Sequence, residues 1–141
     1  MKQYSILRVV SKLLIPYILL FGLYVQFHGD YGPGGGFQAG VIFAAGIILY
    51  GLVFGLKASR RVAPPFLMET LISVGVLIYA GTGIAAMISG GNFLDYSALD
   101  HHHPQHGQHL GILLVELGVG LTVASVMICI FYSFAGRERG K

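Results

Sequence analysis

Four long apolar runs, separated by polar or glycine-rich segments, dominate the pattern of hydrophobic positions. They predict helices at about residues 9–27, 37–56, 66–88 and 110–134. A helix of roughly 20 apolar residues crosses the hydrocarbon core of a bilayer. The pattern therefore predicts an all-α integral membrane protein, with four transmembrane helices in a single domain that spans residues 1–141.

The first apolar run is short for a membrane span, because it extends only from Leu13 to Phe27. In one interpretation the Lys12 ammonium group reaches the interface, so that Val9 and Val10 also lie in lipid. In the other, the glycine-rich segment that follows dips into the membrane. We interpret the run as a span and not as a signal peptide, since no small-residue cleavage site follows it.

The composition agrees with a membrane protein, because 55% of the residues are hydrophobic and 11% are charged, whereas a soluble domain carries roughly 25% charged residues. Positive residues favour the cytoplasmic side of a membrane. We therefore expect both termini and residues 57–65 in the cytoplasm, with the glycine-rich connector and the histidine-rich loop outside. In this placement the basic residues lie beside the lipid bilayer, which is the expected partner. Their positive charge therefore does not require a nucleic-acid partner. The basic residues are Lys2, Arg8 and Lys12, then Lys57, Arg60 and Arg61, and finally Arg137, Arg139 and Lys141.

A glycine-rich segment, residues 28–40, connects the first two predicted helices and contains six glycines and one proline. Glycine adopts positive φ angles without strain and lets another backbone or an ion approach closely, whereas proline ends a helix. Irregular backbone at membrane depth survives only where water or protein satisfies its polar groups. We expect the shape of this segment to matter for function, through Pro33, Gly34, Gly35, Gly36, Phe37, Gln38 and Gly40.

Two carboxylates lie within the apolar runs. Glu116 lies about six residues into the fourth predicted helix, where a charged side chain costs about 2.5–3.5 kcal/mol on insertion scales and usually faces an interior or a wet path. It fits an ion relay, a polar contact with a neighbouring subunit, or a structural carboxyl group. Glu69, near the start of the third predicted helix, is a further ion-path or interface candidate. It also fits a favourable interaction with the helix dipole or an ion pair with Arg60 or Arg61. His28 and Asp30, beside the glycines, fit either a cation entrance or a tight turn.

Small residues recur at helical spacing on two of the predicted helices. Such residues let membrane helices approach closely. Gly51 and Gly55 form a GxxxG pair on the second helix, and a stripe on the fourth helix includes Gly111, Gly118 and Ser125. We predict that these positions pack helix against helix.

The histidine-rich loop raises a metal-binding hypothesis, because His103, His106 and His109 would share one face of a helix and neutral imidazole binds zinc, copper or nickel. No cysteine and no strict ligand spacing accompany the histidines of residues 101–109. We therefore predict a solvated loop, with no metal and no cofactor. The sequence shows no phosphate-binding loop and no nucleophile–base pair, so we do not expect an enzyme.

Two segments resemble the MnhB/MrpB subunits of the Mrp-type (multiple resistance and pH) Na⁺/H⁺ antiporters. The first is His28-Gly29 followed by Pro33-Gly34-Gly35-Gly36-Phe37-Gln38-Ala39-Gly40. The second is Gly107-Gln108-His109-Leu110-Gly111 with Val115-Glu116-Leu117-Gly118-Val119, which is similar to the family's fourth helix. The resemblance covers nearly the whole chain, although the histidines at 101–103 are not part of it.

The resemblance implies an accessory subunit of a multi-subunit antiporter in the inner membrane of a bacterial cell. Such a complex exchanges cytoplasmic Na⁺ for external H⁺, driven by the proton-motive force. The implied partners are Mrp subunits of the A, C, D, E, F and G types, of which the large ones resemble proton-pumping subunits of respiratory complex I. Whether the glycine-rich segment lines the ion path or shapes an interface stays open.

Three alternatives remain beside this hypothesis. The chain could be a self-sufficient homodimeric exchanger that couples ions through Glu116, or a subunit of a related membrane-bound hydrogenase-type complex. The third is a metal-binding membrane protein that uses the histidine loop.

Overall fold

The computed structural model describes residues 5–29, 34–99, 102 and 104–137. Its helices are α1 (Ser5–His28), α2 (Gly36–Phe54), α3 (Leu56–Val62), α4 (Pro65–Ile88) and α5 (Pro104–Ala135), with a short 3₁₀ helix (Tyr96–Leu99) before α5. Helices α1, α2, α4 and α5 are long and apolar enough to cross a membrane. The prediction of an all-α protein with four membrane-spanning helices is confirmed.

Several helix boundaries differ from the prediction. The second helix ends at Phe54, because Gly55 adopts φ 97° and ψ 156°, a region of backbone conformation that essentially only glycine occupies. Residues 57–65, predicted as a turn, instead contain most of α3, and the Ser59 amide donates to the Gly55 carbonyl at 3.1 Å. Pro65 then opens α4 at the first helical position, where the missing N–H costs little.

The first and last helices are longer than the apolar runs that predicted them. Helix α1 begins at Ser5, four residues earlier, and α5 begins at Pro104, six residues earlier. The added turns carry polar side chains such as Gln105, His106 and Gln108. Hydrophobicity alone does not extend a predicted span into such residues.

The spanning helices pack side by side in the order α1, α2, α5, α4. Small residues bring the backbones together at each crossing. A Cβ added at Gly40 of α2 would lie 2.8 Å from the Gly120 carbonyl oxygen of α5, and one added at Gly118 of α5 would lie 2.8 Å from the Gly75 carbonyl oxygen of α4. Larger side chains at these positions would force the helices apart.

The four spanning helices end on two opposite sides of the protein, and these two ends differ in chemistry. At one end, the Arg8 guanidinium lies 5.9 Å from the centre of the Phe54 ring, and that of Arg60 lies 5.5 Å from the centre of the Tyr132 ring. We call this the basic end. We call the opposite end, where α1 ends, α2 begins and Glu116 of α5 lies beside them, the glycine end.

A hydrogen-bonded tyrosine fastens α3 to α5 at the basic end. Tyr132 is 4% exposed, and its hydroxyl donates to the Ala63 carbonyl at 2.9 Å and lies 3.0 Å from Ser59 Oγ. Tyr132 also belongs to the main buried hydrophobic cluster, whose members are Ala44, Ile47, Ala63, Met68, Ile128 and Tyr132. The short helix α3 is therefore held against the row by a buried polar contact as well as by apolar packing.

Much of the helix surface is not covered by the chain itself. Most side chains of α1 are exposed, whereas most of those of α2 are buried or half-buried. Lipid or other membrane proteins must cover this surface.

We predict that Tyr132→Phe lowers the free energy of unfolding by about 1–3 kcal/mol, since it leaves the buried Ser59 hydroxyl and Ala63 carbonyl with one partner fewer. The measurement is thermal unfolding of the purified chain in detergent. Ser133→Ala is the matched control, because the exposed Ser133 hydroxyl donates only within its own helix, to Cys129 at 3.0 Å. Equal shifts in the two variants would contradict the prediction.

Candidate functional site

The Glu116 carboxyl group lies beside two glycines of the glycine-rich segment, Gly29 just after α1 and Gly35 just before α2. A Cβ added at Gly29, just after α1, would overlap this carboxyl group. A Cβ added at Gly35, just before α2, would lie 3.1 Å from Glu116 Oε1 and 3.5 Å from Gln38 Oε1. One half-buried carboxyl group of α5 thus contacts the end of α1 and the start of α2.

Two adjacent glycines permit this arrangement, each for a different reason. Gly35 caps α2 with φ 128° and ψ 179°, a positive φ that strains other residues, and its carbonyl accepts from the Ala39 amide at 3.0 Å. Gly36 lies directly against α5, because a Cβ there would overlap the Glu116 backbone carbonyl. Glycine is therefore required at one position by backbone conformation and at the next by the close approach of two backbones.

Gln26 is a buried polar residue of this junction that the sequence analysis did not single out. Its side chain is 6% exposed, and its Oε1 lies where a Cβ at Gly120 would be. Its Nε2 atom is buried and has no hydrogen-bond partner among the described residues. The signal that could have found it is a lone amide in an apolar run, spaced at i+4 from Gly22 and i−3 from Gly29.

The cleft beside Gln26 is almost entirely apolar. It has a volume of about 170 Å³ and is lined by residues of α1, α2, α4 and α5, among them Gly120, Met68 and Ser125. Such a lining does not support a continuous polar path through the chain, because an ion or a water chain needs polar partners along its length.

The other predicted residues of the glycine-rich segment differ in exposure and in neighbours. Phe37 is 61% exposed, and Gln38 is exposed beside it. His28 is half-buried and stacks on Tyr24, with ring centres 5.1 Å apart. Gly34 lies near α1, where a Cβ would be 3.2 Å from the Val25 carbonyl oxygen. Asp30 and Pro33 lie outside the described residues.

The predicted helix-packing residues have different surroundings. A Cβ at Gly51 would lie 2.7 Å from the Phe131 ring, and one at Gly111 would overlap the ring of Tyr96. Ser125 is 2% exposed. Gly55 differs from the expectation, because it is exposed, lies between α2 and α3, and has no described atom within 4 Å of an added Cβ. Its positive φ allows the turn between these two helices.

Glu69 and the described histidines of residues 101–109 are exposed. Glu69 is exposed on α4, and it is the fifth residue of that helix, beyond the first turn in which the helix dipole acts most strongly. His102, His106 and His109 are exposed, whereas His101 and His103 lie outside the described residues. Within the described part of the chain, no three potential metal-binding side chains cluster.

Comparison with known proteins decides the family. The family model described as "Domain related to MnhB subunit of Na+/H+ antiporter" matches residues 6–129. The chain belongs to the MnhB family. This confirms the resemblance found in the sequence.

Curated relatives of this MnhB-family chain match it almost from end to end. The antiporter subunit mnhB2 of Staphylococcus haemolyticus (strain JCSC1435) is 38% identical over 133 residues, which cover 93% of this chain and 94% of the relative. The protein of the same name from Staphylococcus aureus (strain Newman) is 35% identical over 133 residues, with the same coverage. The Glu116 contact lies inside the matched region.

For this MnhB-family chain we predict that Gly36→Ala lowers the free energy of unfolding by about 1–3 kcal/mol or more, since the new methyl group overlaps a backbone atom that cannot move alone. The measurement is thermal unfolding and recovery of folded protein in detergent. Gly81→Ala is the control, because Gly81 is a helical glycine with open space around it. We expect little change in this control.

Gly29→Ala sharpens the same test. Its methyl group meets the flexible end of the Glu116 side chain, so we expect a smaller loss of stability, and none in a Glu116→Ala background. The loss caused by Gly36→Ala should persist in that background. If Glu116→Ala restored the stability lost in Gly36→Ala, the inferred close contact between the two backbones would be contradicted.

We also predict that Gln26→Leu raises the free energy of unfolding of the isolated chain by about 1–2 kcal/mol, because it removes a buried donor without a partner. Thermal unfolding in detergent measures the effect. Gln38→Leu, a change of the same kind at an exposed position, should have little effect. A loss of stability in Gln26→Leu would show that the amide makes a bond that stabilises the fold.

Proposed function

We propose that this chain is an accessory subunit of a multi-subunit Na⁺/H⁺ antiporter, a transporter subunit and not an enzyme. The observation that carries the proposal is the MnhB match over residues 6–129, together with relatives named as antiporter subunits that align along 93% of the chain. We place it in the inner membrane of a bacterium, as a multi-pass protein. Its partners in this proposal are the remaining Mrp subunits, including large subunits that resemble those of respiratory complex I.

The surfaces of the chain support a role within an assembly. The helices form an open row, and most of the apolar surface of α1 is exposed. The cleft next to Gln26 is apolar, which does not favour ion passage through this chain alone. In this proposal the ion path lies in partner subunits, and the chain supports assembly and proton-driven export of Na⁺.

The glycine end is the part that we propose meets a partner. Glu116 lies against Gly29 and Gly35, and Phe37, the second residue of α2, has 61% of its surface exposed. An aromatic ring that is held on a rigid backbone and covered by little of its own chain is the kind of side chain that anchors an interface. We propose that Glu116 shapes the segment and that the segment presents Phe37.

The test of this proposal is isolation of the tagged chain from native membranes. We expect large complex-I-like subunits to copurify with it, and we expect the purified chain alone, in liposomes, to show no Na⁺/H⁺ exchange. Exchange by the chain alone, lost in Glu116→Gln, would support the self-sufficient homodimeric exchanger instead. Copurification of hydrogenase subunits would place the chain in the related hydrogenase-type complex.

Within the same experiment, Phe37→Ala should lower exchange by the complex or the recovery of partner subunits, while the melting temperature of the isolated chain stays nearly unchanged, because the ring is exposed. Phe134→Ala is the matched control, since Phe134 is 73% exposed on α5 near the basic end. The predicted role of Phe37 fails if both variants exchange Na⁺ for H⁺ and retain their partners as the unchanged chain does.

A further inference from the structure

The short helix α3 lies at the depth where lipid headgroups begin. Helix α2 has 19 residues, which is about 28 Å at about 1.5 Å per residue, close to the roughly 30 Å of a hydrocarbon core. Helix α3 follows α2 after the single residue Gly55, and α4 begins at Pro65. A helix placed between the ends of two membrane spans meets the interface and not the hydrocarbon.

The two faces of α3 have opposite character. Ser59 is fully buried and Ala63, just after the helix, is 4% exposed, so this face packs on the protein. Lys57 and Arg61 are both exposed. They are four residues apart, so their side chains are neighbours on the same side of the helix. At about 100° per residue this side is directed away from Ser59 and Ala63.

Arg60 is not part of this exposed pair, because its guanidinium group contacts α5. It lies 5.5 Å from the centre of the Tyr132 ring, and its Nη2 atom lies 2.7 Å from the position of a Cβ at Gly136. Lys57 and Arg61 therefore form a separate pair, which projects from the fold. The next acidic residue along the chain is Glu69, on the far side of Pro64 and Pro65.

We propose that Lys57 and Arg61 bind the phosphate group of an anionic phospholipid. Like charges four residues apart destabilise a helix, and a phosphate oxyanion between them converts this repulsion into two charge-assisted hydrogen bonds. Arginine offers the planar donor pair that suits a phosphate, and lysine adds a compact charge. The site takes an anionic headgroup in preference to a zwitterionic one, whose positive group would be repelled.

The apolar side chains next to this pair indicate a lipid and not a free phosphate. Val62 is 57% exposed and Phe66 is 80% exposed, and both follow Arg61 closely in the chain. A ligand with a phosphate and acyl chains contacts the charged pair and these side chains together. The proposal does not depend on the Na⁺/H⁺ exchange assigned above, because it concerns this chain and the bilayer.

The test uses the purified full chain in nanodiscs that contain phosphatidylcholine with or without phosphatidylglycerol. Native mass spectrometry after release measures which lipid is retained. We expect the unchanged chain to retain phosphatidylglycerol preferentially, and we expect the variant Lys57→Gln with Arg61→Gln to lose about fivefold of that preference for each basic residue removed. The control variant, Lys12→Gln with Arg137→Gln, removes the same charge elsewhere and should keep the preference.

Three outcomes would overturn the proposal. The first is an unchanged preference in the Lys57 and Arg61 variant, and the second is an equal loss in the control variant, which would mean that charge acts diffusely. The third is displacement of the lipid by glycerol phosphate at equal concentration, which would mean that the phosphate alone is recognised. Thermal unfolding of each variant verifies that a loss of lipid does not reflect a loss of fold.

Discussion

The close approach of α2 to α5 at Gly36 is the contact on which the glycine end depends. The first N–H groups of a helix have no partner within it, and inside a membrane such groups cannot rely on water. Because Gly36 has no side chain, the start of α2 lies directly against the Glu116 carbonyl. The carboxyl group of the same residue, Glu116, lies against Gly29 and Gly35. Glu116 therefore contacts the chain both where α1 ends and where α2 begins.

The hydropathy pattern was enough to predict the four membrane-spanning helices, because polar or glycine-rich segments separate four apolar runs. It was not enough to predict α3. Seven residues that include Lys57, Arg60 and Arg61 have little tendency to form a helix alone, and α3 is held by the hydrogen bonds of Tyr132, which is 73 residues from Ser59. Such long-range contacts leave no local signal in the sequence.

The candidate site could likewise be predicted only in part from the sequence. Periodicity and composition singled out Glu116 and the glycines, since a carboxylate in an apolar run and a cluster of glycines are both unusual. They could not show that the two meet, because Gly36 and Glu116 are distant in sequence. Gly55, predicted as a helix-packing residue, is needed in this chain for its φ of 97°. The same residue type served two purposes that sequence spacing does not distinguish.

Gln26 and Glu116 together indicate that this junction is not built for stability alone. A leucine at position 26 would fill similar space without a buried donor, and a carboxyl group at membrane depth is costly on insertion scales. Proteins depart from the locally stable choice mainly where function requires it. Among the described residues of the basic end, the buried hydroxyls of Ser59 and Tyr132 are paired. We therefore propose that the polar residues of the glycine end serve more than the stability of the isolated chain, in agreement with a subunit completed by its partners.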